Sequence, residues 1–257
     1  MPLLTLLFAT TLHAHFSGLK AQADYGDDWS SAPIFYSLTS AAKKPSEVYR
    51  LHLARLKVKD VQKKLSALSM FPNLRELKIN ACGLTEIPPA VFELRNLEEL
   101  DVEYNLLRFL PGELAKLYNL RKLRASYNLI DSVSSEIGAL KKLRGLYLGY
   151  NFIRFLPREI GRLTELRVVA LNDNELMALP SSIGGWENIE TLLINGNRMR
   201  QLPDEIGTLK HMRFLHAGGN PFSEETVYLL RSQLPHTYKI VDGLDYPTFP
   251  YSRYYQN

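Results

Sequence analysis

The chain has 257 residues, 46% of them hydrophobic, enough to bury a large core. Its net charge of +4 is small, and Lys, Arg, Asp and Glu are interleaved, so no basic stripe with stacking aromatics offers itself to nucleic acid. A single cysteine excludes an internal disulfide.

Leu3 to Leu12 is an apolar run of signal-core length. It is too short to span a bilayer. Ala21-Gln22-Ala23 supplies a small-x-small cleavage pattern, which predicts a signal peptide over residues 1–23 and Asp24 as the first mature residue. The location expected is then periplasmic or secreted. Against it, no Lys or Arg precedes the run, and Lys20 sits close to the cut; the alternative is an ordinary apolar segment of a cytoplasmic protein. No Cys follows the run, so a lipid-modified N-terminal cysteine is excluded.

Residues 24–47 read as a linker and a cap helix. Ile34, Phe35, Leu38, Ala41 and Ala42 lie at helical spacing, and Pro45 ends the run.

From Leu74 to Asn220 one pattern returns every 23 residues. Its anchors are Leu74, Leu97, Leu120, Leu143, Leu166, Ile189 and Met212. The unit at Leu143 is complete: Leu143-x-x-Leu146-x-Leu148-x-x-Asn151-x-Ile153-x-x-Leu156-Pro157-x-Glu159-Ile160-Gly161-x-Leu163. The first half alternates around Leu146 and Leu148 and predicts a short strand with one buried face. The second half, punctuated by Pro157 and Gly161, predicts a turn or short helix on the opposite side. Apolar columns such as Leu77, Leu100, Leu123, Leu146, Val169, Leu192 and Leu215 cannot be buried by one unit; stacking makes them a continuous core. A column of Cys82, Asn105, Asn128, Asn151, Asn174, Asn197 and Asn220 closes the strands. A buried amide there can donate and accept across adjacent turns. Cys82 reads as a small buried thiol rather than a reactive one. A degenerate unit beginning at Val48, with Leu51, Leu53, Val58 and Val61, extends the array to residues 48–222. No linker interrupts the period, so one elongated domain is expected.

Residues 223–245 read as a C-terminal cap: Ser223 is a helix N-cap with Glu224 and Glu225 behind it, Pro235 stops the helix, and Tyr238 to Val241 is placed to add one strand. Residues 246–257, with tyrosines at 246, 251, 254 and 255, are expected to lack fixed structure.

The unit resembles the Ras-group class of leucine-rich repeats, which includes plant intracellular Ras-group proteins and animal Ras-suppressor and scaffold proteins. Pro45-Ser46-Glu47-Val48-Tyr49-Arg50-Leu51 resembles bacterial exported members. Secreted animal members usually carry cysteine-bonded caps, which this chain lacks. The fold expected is an α/β leucine-rich-repeat solenoid, a right-handed horseshoe. It carries a parallel β-sheet on the concave face and short helices or turns on the convex face. The resemblance implies protein binding through the concave face.

On that face, the column before Asn holds Tyr104, Tyr127 and Tyr150 on successive rungs, about 4.8 Å apart at strand spacing. Tyr147 joins them from the mid-strand column, which also holds Asp101 and Arg124; Phe152 follows Asn151. These seven are the candidate partner-binding residues, because Tyr is enriched at binding centres. Aligned tyrosines also stabilise a ladder by stacking on one another, and the two roles are compatible. The partner expected is a protein; a glycan or surface-adhesion role is the alternative. No nucleophile motif, Gly-rich phosphate loop or metal-ligand cluster is visible, and the six histidines are scattered, so neither catalysis nor a cofactor is expected.

Overall fold

The computed structural model describes residues 28–56, 65–234 and 237–240. The expected signal peptide, Val58, Val61, Pro235 and the tail from 246 lie outside these residues. Two units are distinguished, Met1–Ser31 and Ala32–Asn257. In the first, Asp28–Ser31 forms a 3-10 turn. The second holds the sheet and the repeats.

Among the described residues, ten parallel strands form one sheet. They are Ile34–Phe35, Arg50–Ala54, Glu76–Asn80, Glu99–Asp101, Lys122–Arg124, Gly145–Tyr147, Val168–Ala170, Thr191–Leu193, Phe214–His216 and Tyr238–Ile240. Neighbours pair at the sequence period, Leu100 with Leu123, Leu123 with Leu146 and Leu146 with Val169. The fold is therefore a leucine-rich-repeat solenoid, as the periodicity requires. Strands are short because each unit needs its second half to return. Pro111, Pro157, Pro180 and Pro203 each stand just before a five-residue 3-10 helix, where the ring's fixed φ suits the entry. The apolar columns are fully buried between strands and 3-10 helices, with Val133 and Leu202 at the margin.

Those helices pack closely enough to demand glycine. A Cβ on Gly161 would stand 2.1 Å from the Ser182 carbonyl oxygen, whereas one on Gly207 would meet nothing nearer than 3.6 Å. Gly161→Ala should thus destabilise by about 2–3 kcal/mol through overpacking. Gly207→Ala should stay within about 0.5 kcal/mol of the parent. Urea denaturation of the matched pair checks this; equal midpoints would show that the helices are free to separate.

The asparagine column does what its chemistry suggests. Asn151 Nδ2 donates to the carbonyls of Ala125 on the preceding turn and of Leu148 and Gly149 on its own, at 3.0, 3.0 and 3.2 Å. Its Oδ1 accepts the Ile130 N–H at 3.0 Å. Asn105, Asn128, Asn174 and Asn197 repeat the arrangement. Cys82 is buried, and its N–H donates to Asn105 Oδ1 at 2.9 Å.

The N-terminal cap differs from expectation. Only Leu38–Ala41 is helical, while Ile34–Phe35 pairs with Arg50 and Leu51 as the first strand. Ser37 accepts the Ser40 N–H and so starts the helix after Phe35. Pro33 is tolerated beside an edge strand. At the other end Ser223 caps a helix over Glu224–Gln233, as its position predicts, and Tyr238–Ile240 adds the tenth strand. Among the described residues, no helix is long and apolar enough to cross a membrane.

Candidate binding face on the parallel sheet

The residue before each turn asparagine, and before Leu56 and Cys82 in the same column, has a backbone conformation that side chains usually avoid. Arg55, Ala81, Tyr104, Tyr127, Tyr150 and Asp173 have φ between 52° and 58°; Gly196 and Gly219, in the same column, have 65° and 71°. Left-handed φ costs a non-glycine residue about 1–2 kcal/mol. Glycine on the last two rungs shows what the backbone alone would favour. Three tyrosines held there need a compensating gain, and stacking provides part of it. Tyr104 and Tyr127 have ring centroids 4.5 Å apart at 9°, and Tyr127 and Tyr150 4.3 Å apart at 9°. Periodicity did not announce this strain, although Gly196 and Gly219 marked it.

The phenols influence one another and feel the Asp173 carboxylate: burial first, then the Asp173 charge, pushes the Tyr150 hydroxyl above its ordinary value. Asp173 itself accepts from Asn172 Nδ2 at 2.9 Å. Burial and neighbouring phenol charge push the Tyr127 hydroxyl up to about 12, so the ladder stays neutral at physiological pH. Tyr104 is 49% exposed; Tyr127, Tyr147 and Tyr150 are half-buried. Arg124 lies over the Tyr147 ring, 4.5 Å from its centroid. Phe152 is exposed on the turn beyond and belongs to an apolar rim with Leu106, Phe109 and Phe155.

Asp101 sits below this surface. It is 6% exposed, and its Oδ1 accepts the Glu103 N–H at 3.2 Å. Neighbouring charges largely pair across rungs: Lys122 with Glu99 at 2.8 Å, and Arg75 and Arg121 with buried Glu98 at 2.9 and 3.2 Å. Glu76 is held by Arg50, His52 and Lys78, which together outweigh its burial and keep its carboxyl well below the usual range. Glu103 goes the other way. Burial, then the Asp101 charge, push it up to about 7, against the pull of Arg124, Ser126 and Lys78.

This sets a pH dependence. Between the ordinary carboxyl value and about 7, the unfolded chain has lost the Glu103 proton and the folded chain keeps it, so stability falls as pH rises through that window. Glu103→Gln should stabilise by about 2 kcal/mol at pH 8 and give almost no gain below pH ~4. Denaturant unfolding at the two pH values checks it; a gain that does not change with pH would show that Glu103 titrates alike in the folded and unfolded chains.

Among the described residues, no group of three His, Cys, Asp or Glu could hold a metal ion. The open face presents stacked phenols, an arginine and apolar rims, an arrangement suited to contact.

A family model described as leucine rich repeat matches residues 72–130. No curated protein matches the chain. Among solved structures, a Leptospira interrogans leucine-rich-repeat protein is 25% identical with a TM-score of 0.68, over 81% of this chain and 58% of that one. An internalin from Listeria monocytogenes is 16% identical, TM-score 0.68, over 82% and 67%, and shows the fold alone. The Arabidopsis receptor kinase HAESA, solved with the peptide hormone IDA and the co-receptor SERK1, is 27% identical, TM-score 0.55, over 69% of this chain and 30% of that one. The chain thus spans under two thirds of the Leptospira protein's length.

Proposed function

We propose that this chain is a non-catalytic binding protein with repeats of the Ras-group type, and that it captures a protein partner on the open face of its sheet. Tyr104, Tyr127 and Tyr150 form the centre of the contact, Tyr147 and Arg124 its flank, and Phe152 its rim. Asp101 acts from beneath, through Glu103 and Arg124. The observation that carries this reading is the stack of three tyrosine rings on successive rungs of the open face, in a column held at left-handed φ that turns to glycine two rungs beyond them. Strain displayed at a surface is an indicator of use. Solved neighbours support it, since HAESA is seen with a peptide and a co-receptor protein.

The ring geometry favours protein over glycan. A sugar needs an open ring face, and stacking at 4.3 and 4.5 Å occupies both faces of Tyr127 and one each of Tyr104 and Tyr150. What remains open along the ladder is ring edges, hydroxyls and one outer face each of Tyr104 and Tyr150; the edges and hydroxyls, which make up most of it, suit side chains and peptide groups.

The test is Tyr127→Gly combined with Tyr150→Gly. Glycine relieves the φ strain while removing the rings, so the unfolding free energy should change by less than about 1 kcal/mol. Affinity for a partner isolated with the parent protein should fall at least ~30-fold, the scale of two central aromatic contacts. Undiminished affinity with folding intact would end the proposal.

A further inference from the structure

The tyrosine ladder stops one rung early. Ala81 holds the next place in its column, with φ 52° against 58° at Tyr104. Two residues on, Gly83 stands where Leu106, Leu129 and Phe152 stand on the tyrosine rungs. One rung therefore lacks both side chains that build the wall beside it. Tyr104 stacks on Tyr127 through one face, and among the described residues no ring covers the other. Tyr104, Leu106 and Ala81 are all exposed. Arg55, also exposed and at φ 54°, holds the same column one rung further out. Tyr104 and Arg55 are thus separated by two strand spacings, about 9–10 Å, which leaves room for one ring at stacking distance from each.

We infer that this recess is a socket for a single aromatic side chain of the partner, which completes the stack between the free face of Tyr104 and the Arg55 guanidinium, over the floor of Ala81 and Gly83. The inference rests on the proposed function and names the group its site takes. Arg55 selects the occupant: its charge is attracted to a ring face and repels a lysine or arginine. A flat aromatic matches the open face of Tyr104 better than a branched aliphatic chain does.

The socket is tested by titrating the whole chain with N-acetyl-tryptophanamide and following the Ala81 methyl and Tyr104 ring by NMR. The expected result is a saturable upfield ring-current shift at Ala81, with a dissociation constant on the order of 1 mM for a probe of that size. N-acetyl-leucinamide and methyl β-glucoside should give no such shift. Ala81→Tyr should abolish the tryptophan response; it should fold, because three neighbouring rungs accept tyrosine at the same φ. It should also weaken the isolated partner at least ~10-fold. No shift at Ala81, or an equal shift from the leucine or glucoside probe, overturns the inference. If the Ala81 response is absent while the Tyr127/Tyr150 double variant still loses the partner, the socket is wrong and the proposed function stands. If the partner binds the double variant as tightly as the parent, the proposed function fails, and the socket with it.

Discussion

Asn151→Ala is expected to lower the unfolding free energy by about 3–5 kcal/mol. The substitution removes four hydrogen bonds at a buried site. It leaves the Ile130 N–H without its acceptor in the interior, an unmet buried group that costs about 1–3 kcal/mol, while the Ala125 carbonyl keeps Asn128 Nδ2 at 3.1 Å and loses one bond only. Asn151→Asp should cost as much, because a carboxylate keeps the acceptor and turns negative charge on three carbonyls. Asn151→Cys should be milder, since Cys82 already closes a turn with its thiol buried and its Sγ 3.3 Å from the Asn80 carbonyl. Asn220→Ala should cost less than Asn151→Ala, because Asn220 is only half-buried. Urea unfolding, with hydrogen exchange at the Ile130 amide, checks the series. A loss below about 1 kcal/mol for Asn151→Ala would mean that the turns are held by strand pairing alone.

Trp186→Ala is expected to cost about 3–5 kcal/mol, the range for deleting a fully buried large aromatic. Trp186 occupies the column that holds Leu117, Leu140, Leu163 and Leu209 in other units. Its Nε1 donates to the Ile160 carbonyl at 2.9 Å, a bond that leucine cannot make. Trp186→Leu restores the column's usual residue and should still lose about 1–3 kcal/mol, from the cavity and the lost indole hydrogen bond, although the Ile160 carbonyl keeps the Leu163 N–H at 3.2 Å. Thermal unfolding of the two variants separates these effects. If Trp186→Leu matched the parent, the indole would be filling space that the neighbours can close by themselves.

Legibility in the sequence followed periodicity. Leu146, Leu148 and Asn151 recur at fixed offsets, so strand, buried face and turn bond could all be placed from the pattern, because each follows from a period and a side-chain chemistry. The N-terminal cap was not legible in that way. Ile34, Phe35 and Leu38 fit helical spacing, but two residues suffice to pair with an open strand edge, and Ser37 starts the helix later. In the candidate site, the register gave the alignment of Tyr104, Tyr127 and Tyr150. Their left-handed backbone was written only indirectly, through Gly196 and Gly219 in the same column. The burial of Asp101 and Glu103 could not be read from alternation, since both lie on the face that alternation assigns to solvent. Long neighbours such as Lys78, Lys122 and Arg124 cover short acids on a parallel sheet, and that depends on side-chain reach rather than on pattern.

Whether the phenol ladder is the contact surface can be decided by hydroxyl-radical footprinting of the chain with and without its isolated partner. Tyr104 and Phe152 should lose reactivity on binding, while Tyr118 and Tyr228, exposed elsewhere at 51% and 72%, should keep theirs. Protection of Tyr118 or Tyr228 with Tyr104 unchanged would place the partner on another surface and refute the ladder's role.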